Sequence, residues 1–300
     1  MPRFVSVGEC MIEMAETADG LYRMGYAGDT LNTAWYARAR LPAEWEVDYV
    51  TALGDDHHSH RMAWFLDENG IGIGHIQQVS GRRPGLYLTH QNNGDPDFTY
   101  WRGLSAARHL ADDAEAMSAA FSGADIIHFS GITLAILDAR ARGRLMKALH
   151  KAREAGARIS FDPNARPSLW PSPRVMASTI SAAAILADVV LPTFADEEAT
   201  FGDDGPETVA ERYLAGGATE VIVKNGADPA FVAAPGASGW VPAVPVTDVV
   251  DATGAGDGFN GAYLAARALG ASPLEAAHQA HLLAARVVGR SGALVPQAEI

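Results

Sequence analysis

The sequence predicts an α/β protein: a mostly parallel sheet flanked by helices, with a small β-sheet lid. Three observations lead there. From residue 112 onward, helical and strand-like segments alternate, the rhythm of crossover units that build a parallel sheet covered on both faces. Two hairpin-like stretches, at about 11–26 and 85–102, read as insertions that would form the lid. No low-complexity linker separates any part, so residues 1–300 read as one domain.

Arg3 to Gly8 reads as a buried strand. Met11 to Ala15 and Leu21 to Tyr26 are short extended segments around an Asp19-Gly20 turn. Gly28-Asp29-Thr30 then opens a helix from Leu31 to Arg40, with Leu31, Ala34, Trp35 and Arg38 on one face. Capping by Asp29 or Thr30 explains this stretch as well as ligand binding does. Glu46 to Leu53 is the next strand. His57, His58 and His60 follow it, but their spacing does not put all three on one helical face, so they read as the exposed start of a helix reaching Asn69-Gly70.

Gly85–Gln91 and Asp97–Arg102 flank Asn92-Asn93-Gly94-Asp95, and Asn-Gly suits a type I′ hairpin turn. Alternation sets Tyr87 and Thr89 on one face of the first strand, and Phe98, Tyr100 and Arg102 on one face of the second. An arginine beside tyrosines can hold a carboxylate through two hydrogen bonds. An ordinary amphipathic hairpin with an exposed arginine gives the same pattern.

Four crossover units follow. Helix 112–121 precedes strand Ala124–Phe129, and helix Ile136–Ala155 precedes strand Arg158–Phe161. Helix Arg174–Ala187 precedes strand Val189–Leu191, and helix Glu207–Leu214 precedes strand Glu220–Lys224. Ligands of such sheets bind outside the carboxyl ends of the strands. Polar clusters fall there: Ser130-Gly131, Asp162 to Arg166, Thr193 to Glu197, and Lys224-Asn225-Gly226.

Asp251-Ala252-Thr253-Gly254-Ala255-Gly256-Asp257 joins them. An extended run, Val244 to Val250, leads in, and a helical run, Gly258 to Leu269, leads out. A helix start offers free N–H groups and the positive end of the dipole, and glycines let an anion approach the backbone. A carboxylate beside such a site, facing a hydroxyl, can act as a general base. A capping aspartate with flanking glycines is the structural alternative. Ala271-Ser272-Pro273 breaks the helix, and a last helix runs from Leu274 to Val288.

The bulk numbers fit an ordinary globular chain, with 48% hydrophobic and 20% charged residues. Lys plus Arg number 23 against 36 Asp plus Glu, a net charge of -13, which disfavours nucleic acid or an anionic membrane over a broad surface. The single cysteine, Cys10, allows no internal disulfide and reads as a packed side chain. With no apolar run of membrane-spanning length and no signal-peptide pattern, a cytoplasmic location is expected.

With these residues in view, the chain resembles the PfkB (ribokinase-like) family of sugar kinases over essentially its whole length. Asp251 to Phe259 is similar to the family's C-terminal signature. Ala27-Gly28-Asp29-Thr30-Leu31-Asn32-Thr33-Ala34 is similar to the N-terminal one, with Ala27 where a glycine pair is usual. Within the family, the branch acting on 2-keto-3-deoxygluconate is most similar. That likeness is carried by Gly8-Glu9, Met11-Ile12-Glu13, Tyr100-Trp101-Arg102, Phe161 to Pro167, and Val223 to Asp228.

The resemblance implies a ribokinase-like fold and ATP-dependent phosphorylation of a sugar hydroxyl, on C6 in that branch. It implies Asp257 as the base, with Gly254, Ala255 and Gly256 supplying N–H groups to the transferred phosphate. Gly28 and Asn32 would hold sugar hydroxyls. Tyr87, Tyr100, Arg102 and Arg166 would surround the keto-acid end. Asn164, Lys224 and Gly226 match nucleotide-side positions. Mg2+ would bridge the phosphates, and many relatives hold it through an Asn-x-x-Glu motif. Here that stretch reads Thr193-Phe194-Ala195-Asp196-Glu197, which leaves Asp196 and Glu197 both open. Some relatives bind K+ near the Asp251 and Thr253 positions.

Two other readings compete: a kinase for 2-keto-3-deoxygalactonate, fructose or ribose, and a non-catalytic sugar or nucleotide sensor, which would not need Asp257. A dinucleotide-dependent oxidoreductase lacks its fingerprint, since no G-x-G-x-x-G follows Gly8. Met11, Ile12 and Met14 are expected to leave apolar lid faces exposed, which the lid of a second copy would cover in a homo-oligomer.

Overall fold

A computed structural model describes every residue except 18, 93 and 94. An eight-stranded sheet forms its centre. The strands lie in the order Ala237–Val241, Ala230–Ala234, Glu220–Val223, Val189–Val190, Arg158–Asp162, Ile126–Ser130, Arg3–Val7, Glu46–Val50. The six from Glu220–Val223 to Glu46–Val50 run parallel, and the hairpin of Ala230–Ala234 and Ala237–Val241 is antiparallel. The central strands Arg3–Val7 and Ile126–Ser130 are buried at every position, as a sheet covered on both faces requires.

Each face has its own core. On one, Phe129, Phe161 and Ile127 meet Leu145, Met176 and Val209 of the crossover helices. On the other, Phe4 and Tyr49 meet Leu31, Tyr36, Phe259 and Tyr263. Helix Ala255–Ala268 lies between helices Asp29–Arg40 and Pro273–Val288. Gly261 permits the first contact: a Cβ there would lie 2.5 Å from the Thr33 carbonyl oxygen.

A four-stranded sheet stands apart, in the order Tyr22–Ala27, Met11–Glu16, Gly85–Asn92, Asp95–Trp101. The expected turn at Asn92-Asn93-Gly94-Asp95 lies outside the described residues. Tyr87 pairs with Tyr100 across the ladder, in the expected register.

Several expectations need correction. Met11 and Ile12 are buried and Met14 is half-buried, not exposed. Met11 packs with Ala27, Tyr87 and Ala293, while Ile12 joins the core that holds Trp35 and Leu31. Both faces of this small sheet are therefore partly covered by the chain's own body. Its exposed large residues, among those described, are Tyr22, Tyr100 and Trp101. The run Val244 to Val250 forms no strand; it is irregular, with Val249 and Val250 exposed. The expected helix Ile136–Ala155 is two helices, Gly131–Ile136 and Ala139–Glu154. Leu137 turns extended, and Asp138 caps the second helix by accepting from Ala141 N at 2.8 Å. The strand Glu46–Leu53 divides, since Ala52–Leu53 leaves the sheet edge to pair with Gln77–Gln78. The hairpin 230–241 and helix Phe194–Phe201 went unread in the sequence.

Candidate active site

A cleft of about 990 Å³ opens at the carboxyl ends of the parallel strands. Glu9, Tyr87, Tyr100, Arg102 and Arg166 line it toward the small sheet, and Val244, Val246, Val249, Ala284, Ala285 and Val288 line an apolar part. Between them lies the start of helix Ala255–Ala268.

That start is built by Gly254, which adopts a left-handed conformation (φ 78°) and lies so close to Ala293 that a Cβ would sit 2.8 Å from its carbonyl oxygen. Among the described residues, the N–H groups of Gly254, Gly256 and Asp257 have no acceptor. Ala255 differs from the expectation for an open anion site: its N–H donates to Ala252 O at 3.2 Å. The Asp251 carboxylate holds the preceding loop, accepting from Thr253 N at 2.9 Å and Gly292 N at 3.0 Å.

Asp257 Oδ2 accepts from Asn32 Nδ2 at 2.8 Å, and Asn32 Oδ1 in turn accepts from Gly28 N at 3.3 Å. Asn32 thus orients the aspartate. Burial pushes the Asp257 carboxyl up, to about 7, and the nearby carboxylate of Asp29 adds to this, while Asn32 opposes it. Asp29 is itself raised by burial. The position of Gly28 is steric: its backbone is extended, but a Cβ would lie 2.1 Å from the Glu9 carbonyl oxygen.

Lys224 is buried beside this helix start. Its Nζ donates to Asp162 Oδ2 at 2.8 Å and to Asn260 Oδ1 at 3.0 Å, and Asn260 Nδ2 donates to the same carboxylate oxygen at 2.6 Å. Burial opposes ionisation of Asp162, but Lys224 and these hydrogen bonds prevail and hold its carboxyl below the usual range. A Cβ on Gly256 would be 3.7 Å from Lys224 Nζ, so the ammonium lies against the helix start. Asn164, the only described non-glycine residue with positive φ (32°), donates through Nδ2 to Asp29 Oδ2 at 2.9 Å. Such a backbone is costly and marks a position held by its surroundings. Gly226 (φ 61°) turns the chain at the cleft wall.

At the other end the two arginines already have partners. Arg102 donates to the buried Glu9 carboxylate through Nε at 2.8 Å and through Nη2, and its guanidinium lies over the Tyr100 ring. Arg166 donates to Asp196 Oδ2 at 3.1 Å. The Tyr87 hydroxyl donates to Glu13 Oε1 at 2.6 Å.

The structure also separates the two acids of the Thr193–Glu197 stretch. Glu197 is turned into the protein, where Arg212 Nη2 donates to it at 2.7 Å and the Tyr213 hydroxyl at 2.8 Å. Asp196 is half-buried and pairs with Arg166, a residue of the cleft wall. The sequence placed Asp162 in a polar cluster at this edge without a role of its own, and gave no site role to Asp29, Asn260 or Glu9. Asn260 carried a signal: it sits three residues after Asp257, on the same helical face, within an alanine-rich helix.

A family model for the "pfkB family carbohydrate kinase" matches residues 1–299. The chain belongs to the pfkB family of carbohydrate kinases. This kinase is 38% identical over 297 residues to the 2-dehydro-3-deoxygluconokinase of Dickeya dadantii, covering 97% of this chain and 96% of the relative. It is likewise 38% identical over 299 residues to the enzyme of that name from Escherichia coli K12, with coverage of 97% and 96%. A solved fructokinase from Xylella fastidiosa with bound ATP superposes with a TM-score of 0.82, at 26% identity, over 97% of this kinase and 93% of that chain. Among the described residues no helix is long and apolar enough to cross a membrane.

Proposed function

We propose that this kinase transfers the γ-phosphate of ATP to the C6 hydroxyl of 2-keto-3-deoxygluconate (2-dehydro-3-deoxygluconate), with Asp257 as general base. The observation that carries the reading is the Asp257–Asn32 pair. It sets a carboxylate of raised proton affinity at a helix start whose Gly254 and Gly256 N–H groups lack acceptors. The relatives named for this substrate support the choice of sugar.

The reaction balances as an in-line displacement. The hydroxyl oxygen attacks the γ-phosphorus, its proton passes to Asp257, and the bond to the β,γ-bridging oxygen breaks, leaving ADP. Phosphoryl transfer depends mostly on positioning and charge stabilisation. Gly254 and Gly256 N–H groups and the Lys224 ammonium are the donors available for the transferred group. Ala255 contributes through backbone shape, since its own N–H is engaged. Asn164, Lys224, Gly226 and the apolar wall would serve the nucleotide side, and Asn164 also holds Asp29. Gly28, Tyr87, Tyr100, Arg102 and Arg166 frame the sugar acid, and the small sheet serves as its lid.

Among the described residues no three Asp, Glu, His or Cys side chains form a metal cage. Mg2+ needs no such cage, because it takes one or two carboxylates and completes its shell with phosphates and water. Mg2+ would neutralise phosphate charge there, and Asp196, paired with the cleft residue Arg166, is the carboxylate of the Thr193–Glu197 stretch left to hold it, since Glu197 is turned inward. K+ would belong near Asp251, each of whose oxygens keeps a lone pair after accepting one backbone N–H. The kinase is assigned to the cytoplasm on its substrates. Self-association through the lid rests on exposed Tyr22 and Trp101, and sedimentation as a monomer at micromolar concentration would refute it.

The test of the substrate is ADP release across 2-keto-3-deoxygluconate, 2-keto-3-deoxygalactonate, fructose and ribose. The highest kcat/KM is expected with 2-keto-3-deoxygluconate. A higher value with a neutral sugar overturns the substrate, and turnover of none favours the sensor.

A further inference from the structure

Glu9 has no part in the chemistry above, yet it is among the most deeply buried carboxylates of the cleft. It follows the central strand Arg3–Val7 and is 1% exposed. One oxygen, Oε2, takes both Nε–H and Nη2–H of Arg102. The other, Oε1, has no hydrogen-bond partner and lies 2.9 Å from where a Cβ on Gly85 would be. A buried ion pair with an unsatisfied oxygen adds little to stability, because desolvation offsets the attraction. Its presence at the wall of a cleft calls for another reason.

That reason lies in the shape of arginine. The guanidinium carries five N–H donors in a planar fork, with two edges able to grip a carboxylate through parallel hydrogen bonds. Glu9 occupies the Nε–Nη2 edge. Among the described residues Nη1 donates to nothing, so the Nη1–Nη2 edge is the one left for a second carboxylate. Arg102 is also restrained by the Tyr100 ring, 5.7 Å from its centroid. Arg102 leaves the small sheet just after strand Asp95–Trp101, whereas Glu9 lies in the short connection between the central strand Arg3–Val7 and strand Met11–Glu16 of the small sheet. The ion pair therefore ties the arginine at the end of the small sheet to the junction between the two sheets.

We propose that Glu9 is a positioning residue for acid recognition: it occupies one edge of the Arg102 guanidinium and so presents the other, end-on, to the carboxylate of a sugar acid. This rests on the reading of the substrate as a sugar acid held by Arg102. Glu9 is engaged by Arg102 and makes no hydrogen bond to Asp257 or the helix start, so its loss should act on KM and leave kcat nearly intact.

The experiment is a double-mutant cycle with Glu9→Gln, Arg102→Ala and the double variant, each checked for folding by circular dichroism, read as kcat and KM for 2-keto-3-deoxygluconate. Glu9→Gln should raise KM about tenfold, the worth of one misdirected charge-assisted hydrogen bond, with kcat within about threefold. Glu9→Asp retains a carboxylate and should recover part of the loss. In the Arg102→Ala background, Glu9→Gln should have no further effect on KM. An equal KM effect with and without Arg102 overturns the proposal, as does an unchanged KM in Glu9→Gln when Arg102→Ala raises it. If Arg102→Ala itself leaves KM unchanged, the carboxylate reading of Arg102 fails first and takes the proposal with it. Should Glu9→Gln not fold, the same comparison is made with Glu9→Asp.

Discussion

Replacing Asp257 by Asn should remove activity and stabilise the protein. The substitution keeps the shape and keeps an oxygen to accept from Asn32 Nδ2. It removes a carboxylate whose proton affinity is raised from the ordinary 3.8 to about 7, first by burial and then by Asp29. Between those two values the folded state binds a proton that the unfolded chain has released. Stability therefore falls as pH rises from about 4 to about 7, and the full penalty is present above that. A rise of that size corresponds to about 4 kcal/mol at most. Solvent in the cleft and the shared titration with Asp29 reduce the realised figure to about 1–2 kcal/mol. Urea unfolding of both proteins from pH 5 to pH 8 should show the variant's advantage growing with pH and then levelling off. Turnover should drop by about 10²–10⁴-fold, the usual worth of a positioned base. A stability gain that is flat across this range would refute the charge argument, and turnover within tenfold of the parent would refute the base.

Further expectations concern neighbouring groups. In the parent enzyme, kcat/KM should fall as pH drops below about 7, because Asp257 must be ionised to accept the proton; a flat profile down to pH 5 contradicts this. Arg102→Ala should raise KM for a sugar acid by about 10–100-fold while affecting a neutral sugar little, and equal effects would end the carboxylate argument. Gly28→Ala forces a methyl group to 2.1 Å from the Glu9 carbonyl, so thermal melting should register a loss of about 1–3 kcal/mol. Lys224→Met strands the buried Asp162 carboxylate, and a loss of about 3–5 kcal/mol is expected at pH 7; chemical denaturation within about 1 kcal/mol of the parent would show that Lys224 is not its essential counter-charge.

The alternation of segments after residue 112 sufficed to identify the parallel sheet, because buried strands and amphipathic helices each impose a period visible in the chain. The helix start at Gly254 was legible for the same local reason, since glycines and an aspartate there have direct backbone consequences. What stayed hidden involved partners far apart in sequence. Asp29 meets Asn164, Asp257 meets Asn32, and Lys224 meets Asp162 and Asn260, pairings that exist only once the strand ends converge. The same holds for the engagement of Arg102 by Glu9 and of Arg166 by Asp196.

The sequence by itself determined the fold class, the edge of the sheet where the cleft opens, and the glycine-led helix start at residues 254–257. These follow from hydrophobic periodicity and backbone stereochemistry, which act over a few residues. Only the tertiary structure decided that Ala255 N–H is engaged, that Glu197 is internal while Asp196 pairs with Arg166, and that Asp257 holds its proton unusually tightly. Each of those depends on burial and on charges brought together from distant strands, and electrostatic energy is set by distance in space rather than along the chain.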